Sequence, residues 1–365
     1  MWRVVTMSFV LVAFLVTAPA IACTTVCFTG GPTPVVAYNY DFYAEDGLVL
    51  VNPRGLTKTS IVRGNAHSWT ARFGSVTFNQ FGRDLPDTGI NEHGLFVAQM
   101  QLDEGRYPDP DARPEVNPFE WVQLQLDAAA SVPEVLKIAR EVRIRSGPMH
   151  PLLHYLVADR TGRVAVIEFL DGELRARTGG DLPVPALTNS TYADSLAYLG
   201  RHQSFGGEVG LPVAPVPRIT SLERFVVAAS GRAPSTDGDP IARAFGTLAR
   251  ARQNSATLGG ISTRWSIVYE LGPLRAHFRT EGRAAIRHVD LTALDFSCTR
   301  LARMLDIDAP FDGDVTARFT PYSTAANYDI IMRSVRKTPF LTGVSLEQIQ
   351  ALAQWPEGAR CGVGP

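Results

Sequence analysis

Apolar positions along this chain change period several times, and each change marks an element. After Met1-Trp2-Arg3 an almost unbroken apolar run covers Phe9 to Val16 and ends at Ala20-Ile21-Ala22. From Thr24 to Phe28 every residue is β-branched or apolar, Gly30-Gly31-Pro32 interrupts, and Val35 to Tyr40 resumes. That pattern predicts strand, tight turn, strand. Leu48 to Val51, Trp69 to Phe73 and Ser75 to Phe78 predict further strands, and Thr88 to Met100 predicts a hairpin turning at Asn91-Glu92-His93-Gly94. The spacing then becomes helical. Asn117-Pro118-Phe119-Glu120 and Ser131-Val132-Pro133-Glu134 carry helix-start chemistry, the second helix running to about Val142.

His154 to Ala158 and Val164 to Phe169 return to strand patterning, continued at Leu174. Ser190 to Leu199, Thr220 to Ala229 and Ile241 to Arg250 predict helices. Between the first two, Phe205 to Pro217 is rich in Gly and Pro and predicts a mobile surface loop. Trp265 to Leu271, Arg275 to Thr280 and Ala285 to Leu291 predict an antiparallel meander, and Ser345-Leu346-Glu347-Gln348 opens a last helix ending near Trp355. Strands, helices, strands and helices follow one another without a linker, so residues 23–365 read as one α+β domain of layered sheets with helices outside.

The first segment alters the picture. A cationic start, an apolar middle and an A-x-A site describe a secretory signal peptide over residues 1–22. The chain has 365 residues, and cleavage after Ala22 leaves 343 with Cys23 first. Beyond the leader no apolar run approaches the roughly 20 residues needed to span a bilayer, so the expectation is a periplasmic or secreted protein. A net charge of −1 gives no reason to expect nucleic acid or an anionic membrane as partner.

A cysteine at a new N-terminus holds a thiol and a free amine on one residue. With the amine near ~7.7–8.0 and the thiol near ~8.5, the amine can accept the thiol proton, making nucleophile and base one residue. Two rival readings stand beside this. Cys23 could carry only a lipid anchor, although the third position before it is Ala20 rather than the usual Leu, or it could be a small buried strand residue. Cys23 and Cys27 on one strand would lie about 13 Å apart, beyond the roughly 7 Å a disulfide needs. Cys298 and Cys361 are the expected pair, and Cys27 an inert core residue.

Other chemistries are poorly represented. The chain has no H-E-x-x-H, G-x-G-x-x-G, G-x-S-x-G or paired C-x-x-C. Pro151 between His150 and His154 argues against a helical metal pair, so neither metal nor cofactor is expected. Ser334-Val335-Arg336-Lys337 matches S-x-x-K by letter but lacks its companion motifs.

Five segments in order, Cys23-Thr24-Thr25, Asn39-Tyr40-Asp41, Gly89-Ile90-Asn91-Glu92-His93-Gly94-Leu95, Leu187-Thr188-Asn189-Ser190 and Ser221-Leu222-Glu223-Arg224-Phe225, resemble the choloylglycine hydrolase and penicillin V acylase family of N-terminal-nucleophile hydrolases. The resemblance implies a four-layer αββα sandwich, a homo-oligomer (a tetramer), and hydrolysis of linear amides of N-acyl substrates through a cysteine thioester. It makes Cys23 the nucleophile and base, Asp41 the group holding its amine or thiol, Asn189 an oxyanion donor and Arg224 the nearby positive charge, while Asn91 reads as a turn residue. Two positions depart from the pattern. Tyr38 stands where the family's bile salt hydrolases have Arg, and Gln101 aligns with their second oxyanion asparagine. The tyrosine lacks the arginine's charge, so uncharged or weakly charged N-acyl amides are the expected substrates, with conjugated bile salts, and a lipid-anchored binding protein without chemistry, as the alternatives.

Overall fold

The computed structural model describes residues 22–145, 147, 151–212, 219–232, 238–254 and 260–362. The expected leader, save Ala22, lies outside the described residues, as do His150 and residues 213–217 of the expected loop. The fold is mixed α+β with two large sheets. The first orders its seven strands as Ala186–Leu187, β1 (Thr24–Phe28), β2 (Val35–Phe42), Ser262–Glu270, Arg275–Thr280, Arg287–Asp290 and Gly313–Asp314. All its pairings are antiparallel except the last.

The second sheet is antiparallel throughout, its nine strands running from Glu173–Thr178 at one edge to Thr320–Pro321 at the other. Its central strands are buried on both faces because both faces have partners. Along Phe96–Gln101, Phe96 and Ala98 join a core shared with Val26, Val36 and Ile267 of the first sheet. Val97 between them points the other way, into a core with Trp121 and Leu124 of α1 (Glu120–Ala128) and Val135 of α2 (Val132–Glu141). The strand period of two sorts one run of apolar residues into two cores. Three further helices, α3 (Tyr192–Leu199), α4 (Ser221–Ser230) and α5 (Pro240–Arg250), come next in the chain. Phe225 of α4 and Phe245 and Leu248 of α5 close the first core.

Start signals act mostly as expected. Thr220 and Glu223 form a complete capping box on α4, and Ser345 with Gln348 forms another at the last helix. At α2, Ser131 makes no side-chain cap; Glu134 instead bonds the Ala130 N–H at 3.2 Å. The hairpin turn closes through Gly94, whose φ of +79° suits glycine. Asn91 is fully engaged there: Nδ2 donates to the Leu126 and Ala129 carbonyls at the end of α1, and Oδ1 accepts from His93 and Leu95 N–H.

Some elements were hidden in the sequence. A helix, α6 (Thr324–Lys337), buries Asn327 and Ser334 among its apolar residues, which blurs the apolar stripe. Asn327 bonds Arg83 N–H and the Ala353 carbonyl. In the S-x-x-K letters, Ser334 bonds the Gln80 carbonyl while Lys337 pairs with Glu45 and Asp46. The strand expected at Trp69 to Phe73 is shorter, Ser68–Thr70. The expected loop begins as a closed turn: Arg201 and Val209 bond through Val209 N–H at 2.9 Å, and Gln203 N–H bonds the Val209 carbonyl at 2.7 Å.

Cys298 and Cys361 form a disulfide with Cα atoms 5.6 Å apart, while Cys23 and Cys27 are free and buried. The bridge spans 63 residues and fastens the last strand beside Leu56–Thr59. Cys361→Ser is expected to lower the unfolding free energy by about 2–4 kcal/mol. Denaturant midpoints under oxidising conditions check this, and reductant should erase the difference from wild type.

Candidate active site

The β1–β2 pairing sets Thr24 opposite Asn39 and Thr25 opposite Tyr38. Along β2, alternate side chains face opposite ways. Asn39 holds α5 to the sheet: Nδ2 donates at 2.9 Å to the Leu248 carbonyl in the last turn, which also accepts the Ala251 N–H, and Oδ1 accepts from Ser266 at 2.7 Å. Tyr38 and Tyr40 face the second sheet, where Tyr38 reaches the Gln99 carbonyl at 3.3 Å and Tyr40 bonds Gln80.

Cys23, just before β1, is buried, as is Ala22. Its Sγ lies 3.7 Å from the Tyr38 hydroxyl and accepts the Asp41 backbone N–H. Its nitrogen, a peptide N–H in the uncut chain, donates to Asn189 Oδ1 at 2.6 Å. Asn189 arrives because the two-residue strand Ala186–Leu187 pairs with β1, Leu187 opposite Thr25. The chain leaving that strand therefore passes the Cys23 end of β1.

The start of α4 clamps this segment. Ser221 Oγ accepts the Asn189 N–H at 2.9 Å. One turn on, Arg224 Nη2 donates to Asn189 Oδ1 at 2.7 Å and to the Cys23 carbonyl at 3.4 Å, while Nε donates to Thr24 Oγ1 at 3.1 Å. Nη1 completes the set on the Ile219 carbonyl at 3.3 Å. The Ser-Leu-Glu-Arg motif is thus two devices: Glu223 caps the helix with Thr220, and Ser221 with Arg224 faces the cluster.

Gln101 meets the cluster through its backbone, its carbonyl accepting Asn189 Nδ2 at 3.0 Å. Its side-chain amide, expected as a second oxyanion donor, is instead bonded to the Asp103 carboxylate two residues on. Asp41 accepts from Thr263 Oγ1, which accepts Gln253 N–H at 2.8 Å. Among the described residues Asp41 Oδ2 has no partner, although buried. Sequence reasoning passed over Thr263 and Gln253. Both lie more than 200 residues from Asp41, and only the pairing of Thr263 with Asp41 reveals them.

Electrostatics follow from burial. Burial pushes the Cys23 thiol up to about 12; the Asp41 charge adds to this, and hydrogen bonds from Asp41 N–H and Tyr38 oppose it. Burial likewise raises the Asp41 carboxyl to about 7 against the pull of Arg224, Thr263 and Arg252. Arg224 is held below the usual guanidinium value, chiefly by burial. In the uncut chain the sulfur rests as a neutral thiol beside a buried positive charge. Among the described residues no group of three or more His, Cys, Asp or Glu is placed to hold a metal, and no helix is long and apolar enough to cross a membrane.

Residues 23–229 match the linear amide C–N hydrolases of the choloylglycine hydrolase family. The chain belongs to that family. It is 26% identical over 302 residues to the penicillin V acylase of Pectobacterium atrosepticum, covering 72% of this chain and 78% of that protein. The solved penicillin V acylase from Agrobacterium tumefaciens, 25% identical, superposes with a TM-score of 0.71 over 82% of this chain and 98% of that one. A variant of the conjugated bile acid hydrolase from Clostridium perfringens, 20% identical, shares the fold with a TM-score of 0.64 over 78% and 96% of the two chains. This family member is therefore an amidohydrolase acting on linear carbon–nitrogen bonds.

Asp41 makes one consequence measurable in the uncut chain. Its folded value of about 7 exceeds the unfolded ~3.9, so the folded state keeps a proton that the unfolded state releases between them. Its contribution to stability is greatest below that window and declines as pH rises through it. Denaturant midpoints should fall from pH 4 to 7, and Asp41→Asn should flatten part of the fall. Asp87 and Glu120, also raised to about 7 by burial, should sustain the remainder.

Proposed function

We propose that this protein is exported, cut after Ala22, and hydrolyses amides of apolar acyl groups through a thioester on Cys23. The observation that carries this reading is the convergence on one residue: the Cys23 nitrogen and sulfur each meet a built polar partner, and the family match begins at Cys23. A thiol raised to about 12 does not ionise unaided at neutral pH, so a base must take its proton as it attacks. Cleavage supplies that base where the peptide nitrogen now sits, hydrogen-bonded to Asn189 Oδ1.

In this mechanism the α-amine takes the thiol proton and sulfur bonds to the substrate carbonyl carbon. The resulting ammonium then protonates the departing amine as the C–N bond breaks. Water, deprotonated by the same amine, attacks the thioester carbon; the C–S bond breaks, the acid leaves, and the ammonium returns its proton to the sulfur. Asp41 stabilises the ammonium, and Arg224 supplies positive charge beside the reacting atoms. Asn189 spends one Nδ2 hydrogen on the Gln101 carbonyl and keeps the other for the oxyanion. One preorganised donor of this kind is worth roughly 3–4 kcal/mol. Tyr38 keeps its hydroxyl at the sulfur and brings no charge to the acyl site. The two sheets sharing one core, with α4 and α5 joining that core and α1 and α2 the other, support an αββα layering. Assembly as a homo-oligomer belongs to the same reading.

Cys23→Ala should abolish amide hydrolysis. A form verified by mass to retain a Met before Cys23 should lose it as well, since an acylated nitrogen takes no proton; full activity there would sink the self-base mechanism.

A panel of penicillin V, N-acyl homoserine lactones, N-acyl amino acids and glycine- or taurine-conjugated bile acids tests the substrate. Uncharged or weakly charged acyl amides should have the higher kcat/KM, and preference for conjugated bile acids would overturn that ranking. Single methylenes should change kcat/KM by only about 10–200-fold. If no amide is turned over, a non-catalytic binding protein is favoured, and lipidation of Cys23 would show as added mass.

A further inference from the structure

Behind Asn189 lies a second buried group that the mechanism above does not use. His154 and Glu168 are 0% and 1% exposed. His154 Nε2 is 2.6 Å from the backbone carbonyl of Thr188, the residue before Asn189. A carbonyl oxygen only accepts, so Nε2 carries the hydrogen. The other ring nitrogen, Nδ1, faces Glu168 Oε1 at 3.5 Å, and that same oxygen accepts the N–H of Tyr192, which opens α3, at 2.9 Å.

The placement is specific. His154 sits opposite Met100 in the second sheet and Leu153 opposite Gln101. Two neighbouring ladder positions therefore grip the Asn189 segment: the Gln101 carbonyl holds the side chain, and His154 holds the main chain. From the other side, Ser221 takes the Asn189 N–H and donates to Thr188 Oγ1 at 3.1 Å. The strand carrying this segment is two residues long, too short to fix its own exit. With the Thr188 carbonyl released, the peptide plane between Thr188 and Asn189 is held only at its N–H end by Ser221, and the aim of the Asn189 amide loosens with it.

We infer that His154 is a positioning residue for the amidase reaction: as its Nε2–H tautomer it fixes the Thr188 carbonyl and so aims the Asn189 amide at the Cys23 centre. The inference rests on the proposed role of Asn189 in holding the oxyanion. Glu168 bonds Tyr192 at the start of α3, and His154 Nδ1 beside it has no hydrogen-bond partner among the described residues, so the ring's only hydrogen bond is the one to Thr188.

Glutamine and asparagine separate the two ring nitrogens, because a glutamine amide reaches about as far as Nε2 and an asparagine amide about as far as Nδ1. His154→Gln keeps a donor for Thr188, so kcat should stay within about threefold of wild type; His154→Asn loses that donor, and kcat should fall about tenfold or more with KM nearly unchanged. NMR of the same proteins needs no turnover. Wild type should show a protonated Nε2, and the Asn189 side-chain amide signals should shift in His154→Asn and return in His154→Gln.

Equal kcat in wild type and His154→Asn would overturn the proposal. So would equal losses in both variants accompanied by equal losses of thermal stability, which indicate a merely structural histidine. Unmoved Asn189 signals in His154→Asn would overturn it too. A wild type that cleaves no amide would reject the functional reading, while the NMR comparison still decides whether His154 positions Asn189.

Discussion

The side-chain oxygen of Asn189 is the point on which this site turns. It accepts from the nitrogen of Cys23 and from the guanidinium of Arg224 at once, at 2.6 and 2.7 Å. An amide oxygen has two lone pairs, and both are used. With its oxygen fixed, the orientation of the whole planar amide is fixed, including the Nδ2 that meets the Gln101 carbonyl. One side chain thereby joins β1, α4 and the second sheet. Losing it would leave a buried guanidinium and a backbone N–H short of partners, each a substantial cost for a group removed from solvent.

Burial makes these few bonds decisive. Arg224 is 2% exposed, and its hydrogen bonds go to neutral oxygens of Thr24, Ile219, Cys23 and Asn189. A buried charge neutralised by dipoles rather than by a contacting carboxylate keeps much of its field for its surroundings. Asp41 is the carboxyl that feels it, and burial still wins, raising Asp41 to about 7. A positive charge created at the Cys23 nitrogen would shift the balance towards the carboxylate.

Many polar letters in the family motifs are construction rather than chemistry. Asn39 receives the end of α5, and Asn91 receives the end of α1. Glu223 caps α4. Their neighbours Asp41 and Arg224 reach the Cys23 cluster because these contacts hold the elements in register. The paired occurrence of a scaffold residue and a cluster residue within one short motif has a simple physical cause: the residue that docks an element is best placed beside the residue the element must deliver.

By itself the sequence determined the local terms. The strand–turn–strand of β1 and β2, the capping residues of α4 and the last helix, and the glycine at the Asn91–Gly94 turn are all decided by neighbours a few residues apart. So was the list of motif residues, and a mixed α+β class. The tertiary structure alone decided what those residues touch. Cys23 meets Asn189 across 166 residues and Arg224 across 201, separations at which no periodicity carries information. Gln101 shows the limit well: its letter suggests a donor, but a carboxylate two residues on captures the side chain and leaves the backbone to hold Asn189. His154, read in the sequence as a strand position and as half of a rejected metal pair, acquires its partner when the strand Ala186–Leu187, too short to register as a pattern, pairs with β1 and carries Thr188 to it. Local propensity is a sum over neighbours, whereas a site is a coincidence of distant strands, and only the folded sheets bring that coincidence about.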